Sequence, residues 1–117
     1  MLAAYDNRCA ITGLPVARLL DAAHIVEDNN EKLGQPEVRN GLPLSKIHHA
    51  AFDADLIGID PDHKIHLSAK LLDEDDGPML ELLKDCAGKK IHLPSRCQDY
   101  PDPARLELRF ERFRPNL

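Results

Sequence analysis

The sequence predicts an α+β fold. Two short apolar runs, at 19–26 and 38–44, read as strands, and a helical pattern follows at 46–54. A second pair of short apolar runs within 56–68 reads as a β-hairpin. A strand, a returning strand and a helix of these lengths bring His24, Asn40 and His49 to one place, although they lie sixteen and nine positions apart.

At 117 residues the chain is expected to be one domain, 1–117, with one modest core. Its 30% charged and 43% hydrophobic residues are ordinary for a globular protein. With no tryptophan and 4% aromatics, aliphatic side chains must supply most of the packing. No apolar run approaches the roughly 20 residues that span a bilayer, and no signal-peptide pattern is present. A membrane role is therefore not expected, and a cytoplasmic location is. Cys9, Cys86 and Cys97 form no C-x-x-C pair, which argues against a disulfide framework or a four-cysteine zinc site.

In chain order, residues 2–5 read like the last turn of a helix, and the abrupt start suggests a piece of a longer protein. The stretch 8–13 closes on the turn pair Thr12-Gly13. The run at 19–26 is short enough for a buried strand, and 27–37, polar with Gly34 and Pro36, is a loop of the kind that carries function. The second strand has Asn40-Gly41 early in it, and Pro43 argues against a central position. Ser45 is the N-cap of the helix that follows. Residues 78–86 form an amphipathic helix with Met79, Leu82, Leu83 and Cys86 inward, ended by Gly88. A last helix starts with Asp102 as cap and Pro103 in its first turn; Leu106, Phe110 and Phe113 give it one apolar face.

These residues suit the hydrolysis of a phosphodiester. A water must lose a proton as it attacks, and an imidazole, titrating near neutrality, can take it. A divalent cation can neutralise the phosphoryl oxygens and the departing oxygen. His24 is the candidate base and His49 the candidate metal ligand. Asp53, four residues further on the same helix face, is placed to share that metal, and Asn40 to hydrogen-bond across the loop and fix the direction of His24.

At these positions the chain resembles a known group. Asp21-Ala22-Ala23-His24-Ile25, Asn40-Gly41-Leu42 and His49-Ala50-Ala51-Phe52-Asp53, followed by Leu56-Ile57-Gly58-Ile59-Asp60, are similar to segments of the HNH endonuclease family. Cys9 to Gly13 fits the C-x-[IV]-T-G that opens the nearest branch. The resemblance implies a ββα-metal core, here with an added β-hairpin and C-terminal helices. It also implies one divalent cation (Mg, Mn, Ni and Zn all remaining open) and cleavage of DNA to 5′-phosphate and 3′-hydroxyl ends. It assigns His24 as base, Asn40 as the loop-fixing asparagine, His49 as ligand and Asp53 as a further ligand. Two departures stand out. Many relatives have a ligand immediately before the base, where this chain has Ala23; Asp21, on the same side of the strand, is the candidate replacement. Many also carry a structural zinc on paired cysteines, which are absent here.

Some readings stay open. Asp53 is either a ligand or a helix-end hydrogen-bond partner, and Asp21 either a ligand or a partner of the loop or of a nearby arginine. Arg8, Arg39 and Lys46 are candidate phosphate contacts or ordinary surface charges. His48 reads as solvated or as a phosphate contact, and 73–76 as a solvated acidic turn. The net charge of −5 argues for weak DNA binding by this domain alone, so a specificity domain in the same or another chain is the expected partner, as in a restriction enzyme. Ala23 and the acidic charge also suit a rival, an inactive HNH-like module that binds nucleic acid or protein. A second rival is a structural metal staple on His49 and Asp53.

Overall fold

A computed structural model describes residues 2–117, and among them two small antiparallel sheets combine with four α-helices. The α+β expectation holds. Strand β1 (Leu20–His24) pairs with β2 (Gly41–Ser45), with Asp21 opposite Leu44 and His24 opposite Gly41. By strand alternation Asp21 and Ala23 share one face of β1, and Ala22 and His24 the other.

β2 is buried along its whole length, Pro43 included. The Pro43 carbonyl accepts from the Ala10 amide at 2.7 Å, so it faces away from β1. In a strand the N–H of a residue points the same way as its C=O, so proline costs no bond to β1. The second strand begins later than the sequence suggests. Val38–Asn40 is a 3-10 turn, because the Asn40 side chain bonds to neighbouring backbone instead of pointing across a sheet.

Helix α1 (Lys46–Asp53) follows β2 directly; Ser45 Oγ accepts from the His48 amide at 3.1 Å, as an N-cap does. Strands β3 (Ile57–Ile59) and β4 (Ile65–Leu67) form the hairpin, paired Gly58 to His66. After the short α2 (Ala69–Asp73), helix α3 (Pro78–Lys84) departs from expectation, since Met79 and Leu82 are exposed. Leu83 and Cys86 do turn inward as expected, but Leu80 packs against the core in place of Met79 and Leu82. Helix α4 (Pro103–Phe113) starts as read, with Asp102 accepting from the Ala104 amide, and buries Leu106, Phe110 and Phe113. The core is aliphatic around Phe52: Ile25, Leu42, Leu44, Ile57, Ile59, Ile65 and Leu106 are all sealed from solvent. Cys9 is buried and unpaired; its Sγ accepts from the amides of Thr12 and Ser45, tying the N-terminal turn to the end of β2. Among the described residues no helix is long and apolar enough to cross a membrane.

Candidate functional site

α1 turns His48, Ala51 and Phe52 inward and leaves His49 and Asp53 at its surface beside β1. His49 stands between two carboxylates. Its Nδ1 is 2.9 Å from Asp21 Oδ2 and its Nε2 is 3.0 Å from Asp53 Oδ2. The second oxygen of Asp21 accepts from Lys46 Nζ at 2.6 Å. Hydrogen bonds from His49 and then Lys46 hold the Asp21 carboxyl below the usual range, against a small opposing effect of burial. The second oxygen of Asp53 accepts from Arg109 Nη2 at 3.0 Å.

Asn40 is fully buried. Its Oδ1 accepts from the Val26 amide at 2.8 Å, and its Nδ2 donates to the carbonyls of Val26 and Gln35. The Asn40 carbonyl also accepts from the Ile25 amide. The two residues after His24 are therefore locked to this one asparagine.

His24 leaves the end of β1 on the face opposite Asp21. It is about half exposed, with Nε2 3.4 Å from Asp28 Oδ1. It borders a hollow of about 440 Å³ together with Asp28, Asn30, Glu31, Gly34, Gln35 and Pro36. His49 does not line that hollow. The two imidazoles have different partners, and the group common to both halves is the guanidinium of Arg109. Its Nη1 donates to the carbonyls of His24 and Ile25, and its Nη2 to the Phe52 carbonyl and Asp53.

Asp21 and Asp53 face opposite nitrogens of one ring, so as placed they do not converge with His49 on a single ion. Among the described residues no three imidazole, thiol or carboxylate groups do so. The remaining two-donor pair is His49–Asp53, whose 3.0 Å separation is also that of an ordinary imidazole–carboxylate contact. Adjacent ligands of an octahedral ion with bonds of about 2.1 Å lie about 3.0 Å apart, and Nε2 and Oδ2 are 3.0 Å apart. Such ions commonly take one or two protein donors and complete their shell with water and phosphate.

Of the candidate phosphate contacts, only Lys46 lies against this cluster. Arg39 donates to the Tyr100 carbonyl and faces Asp102, and Arg8 donates to the Gly13 carbonyl. His48 is neither solvated nor free: it is buried, with Nδ1 2.6 Å from Ser45 Oγ. Sequence reading missed Arg109, although Arg105, Arg109 and Arg112 recur at i, i+4 and i+7 beside the apolar stripe of α4. Arg105 bonds to the Leu33 carbonyl, Gln35 and Glu37 in the loop, and Arg112 to Glu27 and Asp55.

The profile of the HNH endonuclease family matches residues 9–60. A search of curated proteins gives no match. The fold is similar to that of a solved structure described as a modification-dependent TagI restriction endonuclease, with a TM-score of 0.60 and 19% sequence identity. The likeness covers 95% of this chain and 35% of that one, so the chain spans about a third of that protein's length.

Proposed function

We propose, from the match of residues 9–60 to the HNH endonuclease profile, that the chain is a metal-dependent endonuclease hydrolysing DNA phosphodiester bonds, the cleavage domain of a restriction-type enzyme. The observation that carries this reading is His49, held between two carboxylates on a helix packed beside the strand that ends in His24.

His49 Nε2 and Asp53 Oδ2 hold the divalent cation in this scheme. Asp21 then accepts the Nδ1–H of His49, fixing the ring tautomer and direction as a carboxylate behind a metal-bound histidine does. Lys46 balances the charge of Asp21. Bound there, the cation supplies Lewis-acid neutralisation of the phosphoryl oxygens and of the leaving 3′ oxygen. His24 takes the proton of the attacking water: Asp28 stands at its Nε2, which leaves Nδ1 for the water. Asn40 positions His24 by holding the backbone of Ile25 and Val26. With a net charge of −5, grip on the DNA and any sequence preference come from a further domain in the same or another chain.

The test is nicking of supercoiled plasmid with a panel of Mg, Mn, Ni and Zn, and with EDTA. The parent is expected to nick in at least one ion and to stop in EDTA. His24→Ala and His49→Ala should each lose about 100-fold or more with unchanged circular dichroism. Nicking by His24→Ala at the parental rate would overturn the assignment.

One observation favours the binding-module reading: the hollow beside His24 is walled by Asp28 and Glu31 and excludes His49. That reading expects no nicking by the parent in any ion, and DNA or protein binding that survives His24→Ala.

A further inference from the structure

Arg109 lies outside the matched segment, 5% exposed, on a helix whose other inward residues are apolar or, like Arg105, bonded to the loop. Its guanidinium stacks on the Phe52 ring with 4.0 Å to the centroid and has four acceptors. Two are carbonyls at the end of β1, His24 at 3.2 Å and Ile25 at 3.1 Å. The other two are at the end of α1, the Phe52 carbonyl and Asp53 Oδ1, both at 3.0 Å. The carbonyls alone would serve a structural arginine. The carboxylate is different: Asp53 is 56% exposed, and besides Arg109 its side chain has one contact among the described residues, His49 Nε2 at 3.0 Å.

We propose that Arg109 is a positioning residue of the metal centre: it grips one oxygen of Asp53 so that the other faces His49 Nε2. This rests on the reading of His49 and Asp53 as cation ligands. A side chain held in one rotamer loses less entropy on binding an ion than a mobile one. Partners that orient metal ligands typically contribute 10–100-fold in affinity. Arginine is needed here because the planar fork reaches the carbonyls and the carboxylate together, which a single ammonium does not. The same guanidinium holds the His24 carbonyl, so it fixes the candidate ligand relative to the strand that bears the candidate base.

The experiment measures Mn2+ affinity by calorimetry in the parent, Arg109→Lys, Asp53→Ala and the double variant. Ile91→Val, a truncation of a buried residue outside β1, α1 and α4, is the control. Arg109→Lys keeps the charge and is expected to weaken Mn2+ binding about tenfold or more. It should have no further effect once Asp53 is alanine, and Ile91→Val should lower the melting temperature only. If Arg109→Lys fails to fold, Arg109→Gln replaces it; loss of a positive charge alone would tighten Mn2+, so weakening reports lost position. The proposal is overturned if the variant melts earlier yet binds Mn2+ within twofold of the parent, or loses affinity equally on both backgrounds. A parent that binds no Mn2+ sinks the ligand assignment itself and this inference with it; a binding parent matched by Arg109→Lys sinks this inference alone.

Discussion

His48 and His49 are neighbours with opposite fates. His49 stands about a quarter exposed between carboxylates, whereas His48 is buried and, among the described residues, its Nε2 has no hydrogen-bond partner. Burial pushes the His48 imidazole below its ordinary range, and burial followed by the nearby Lys90 does the same to His63. In both cases the folded state disfavours the proton while the unfolded chain accepts it near pH 6.5. Stability is therefore complete above about pH 6.5 and falls as the pH drops through the window between the unfolded value and the lower folded one. Urea midpoints at pH 7 and pH 5 should show a smaller loss for His48→Gln than for the parent. An equal loss in both would remove His48 from the acid response. Asn40 makes the complementary point: three side-chain hydrogen bonds in a sealed site explain why an Asn-Gly pair here is more than a turn.

At the scale of elements, the site depends on how α4 lands. The helix lies across β3, and the contact is close at Gly58, where a Cβ would stand 2.4 Å from Phe113 Cδ2. Gly58→Ala must push the ring, and with it the helix carrying Arg109. Overpacking of this kind costs about 1–3 kcal/mol, read as a lower denaturation midpoint. Combining it with Phe113→Leu should recover part of the loss, since the smaller side chain yields the space; simple addition of the two losses would show that the clash is relieved elsewhere. The apolar face of α4 was legible from Leu106, Phe110 and Phe113. The arginine row beside it was not recognised as an internal clamp, because spacing alone does not distinguish a solvated charge from one that meets carbonyls.

At the scale of the whole molecule, charge is the governing quantity. Arg105, Arg109 and Arg112 are engaged with the chain's own carbonyls and carboxylates, and Lys46 with Asp21. With these cations engaged and a net charge of −5, little counterion release from DNA is expected. Binding of a duplex oligonucleotide in EDTA, followed by fluorescence anisotropy across a salt series, should be weak. The slope of log K against log salt should be shallow, about −2 to −3 if only two or three phosphates are contacted. A slope of about −6 or steeper would show a basic surface that this fold does not present.

What the sequence determined by itself is local. The N-cap at Ser45, the i, i+4 spacing of His49 and Asp53, the strand that carries His24 (read at 19–26, formed at Leu20–His24) and the hairpin after α1 were all legible in short stretches of sequence. Tertiary structure alone decided that Asp21 and Asp53 take opposite nitrogens of His49, that His48 and not His49 goes inside, and which residues of α3 pack. It also decided that Arg109 joins residues 85 and 56 positions away in the chain. Those outcomes depend on where separately formed pieces dock, and docking is set by the shape of the whole core, which no short window of residues encodes.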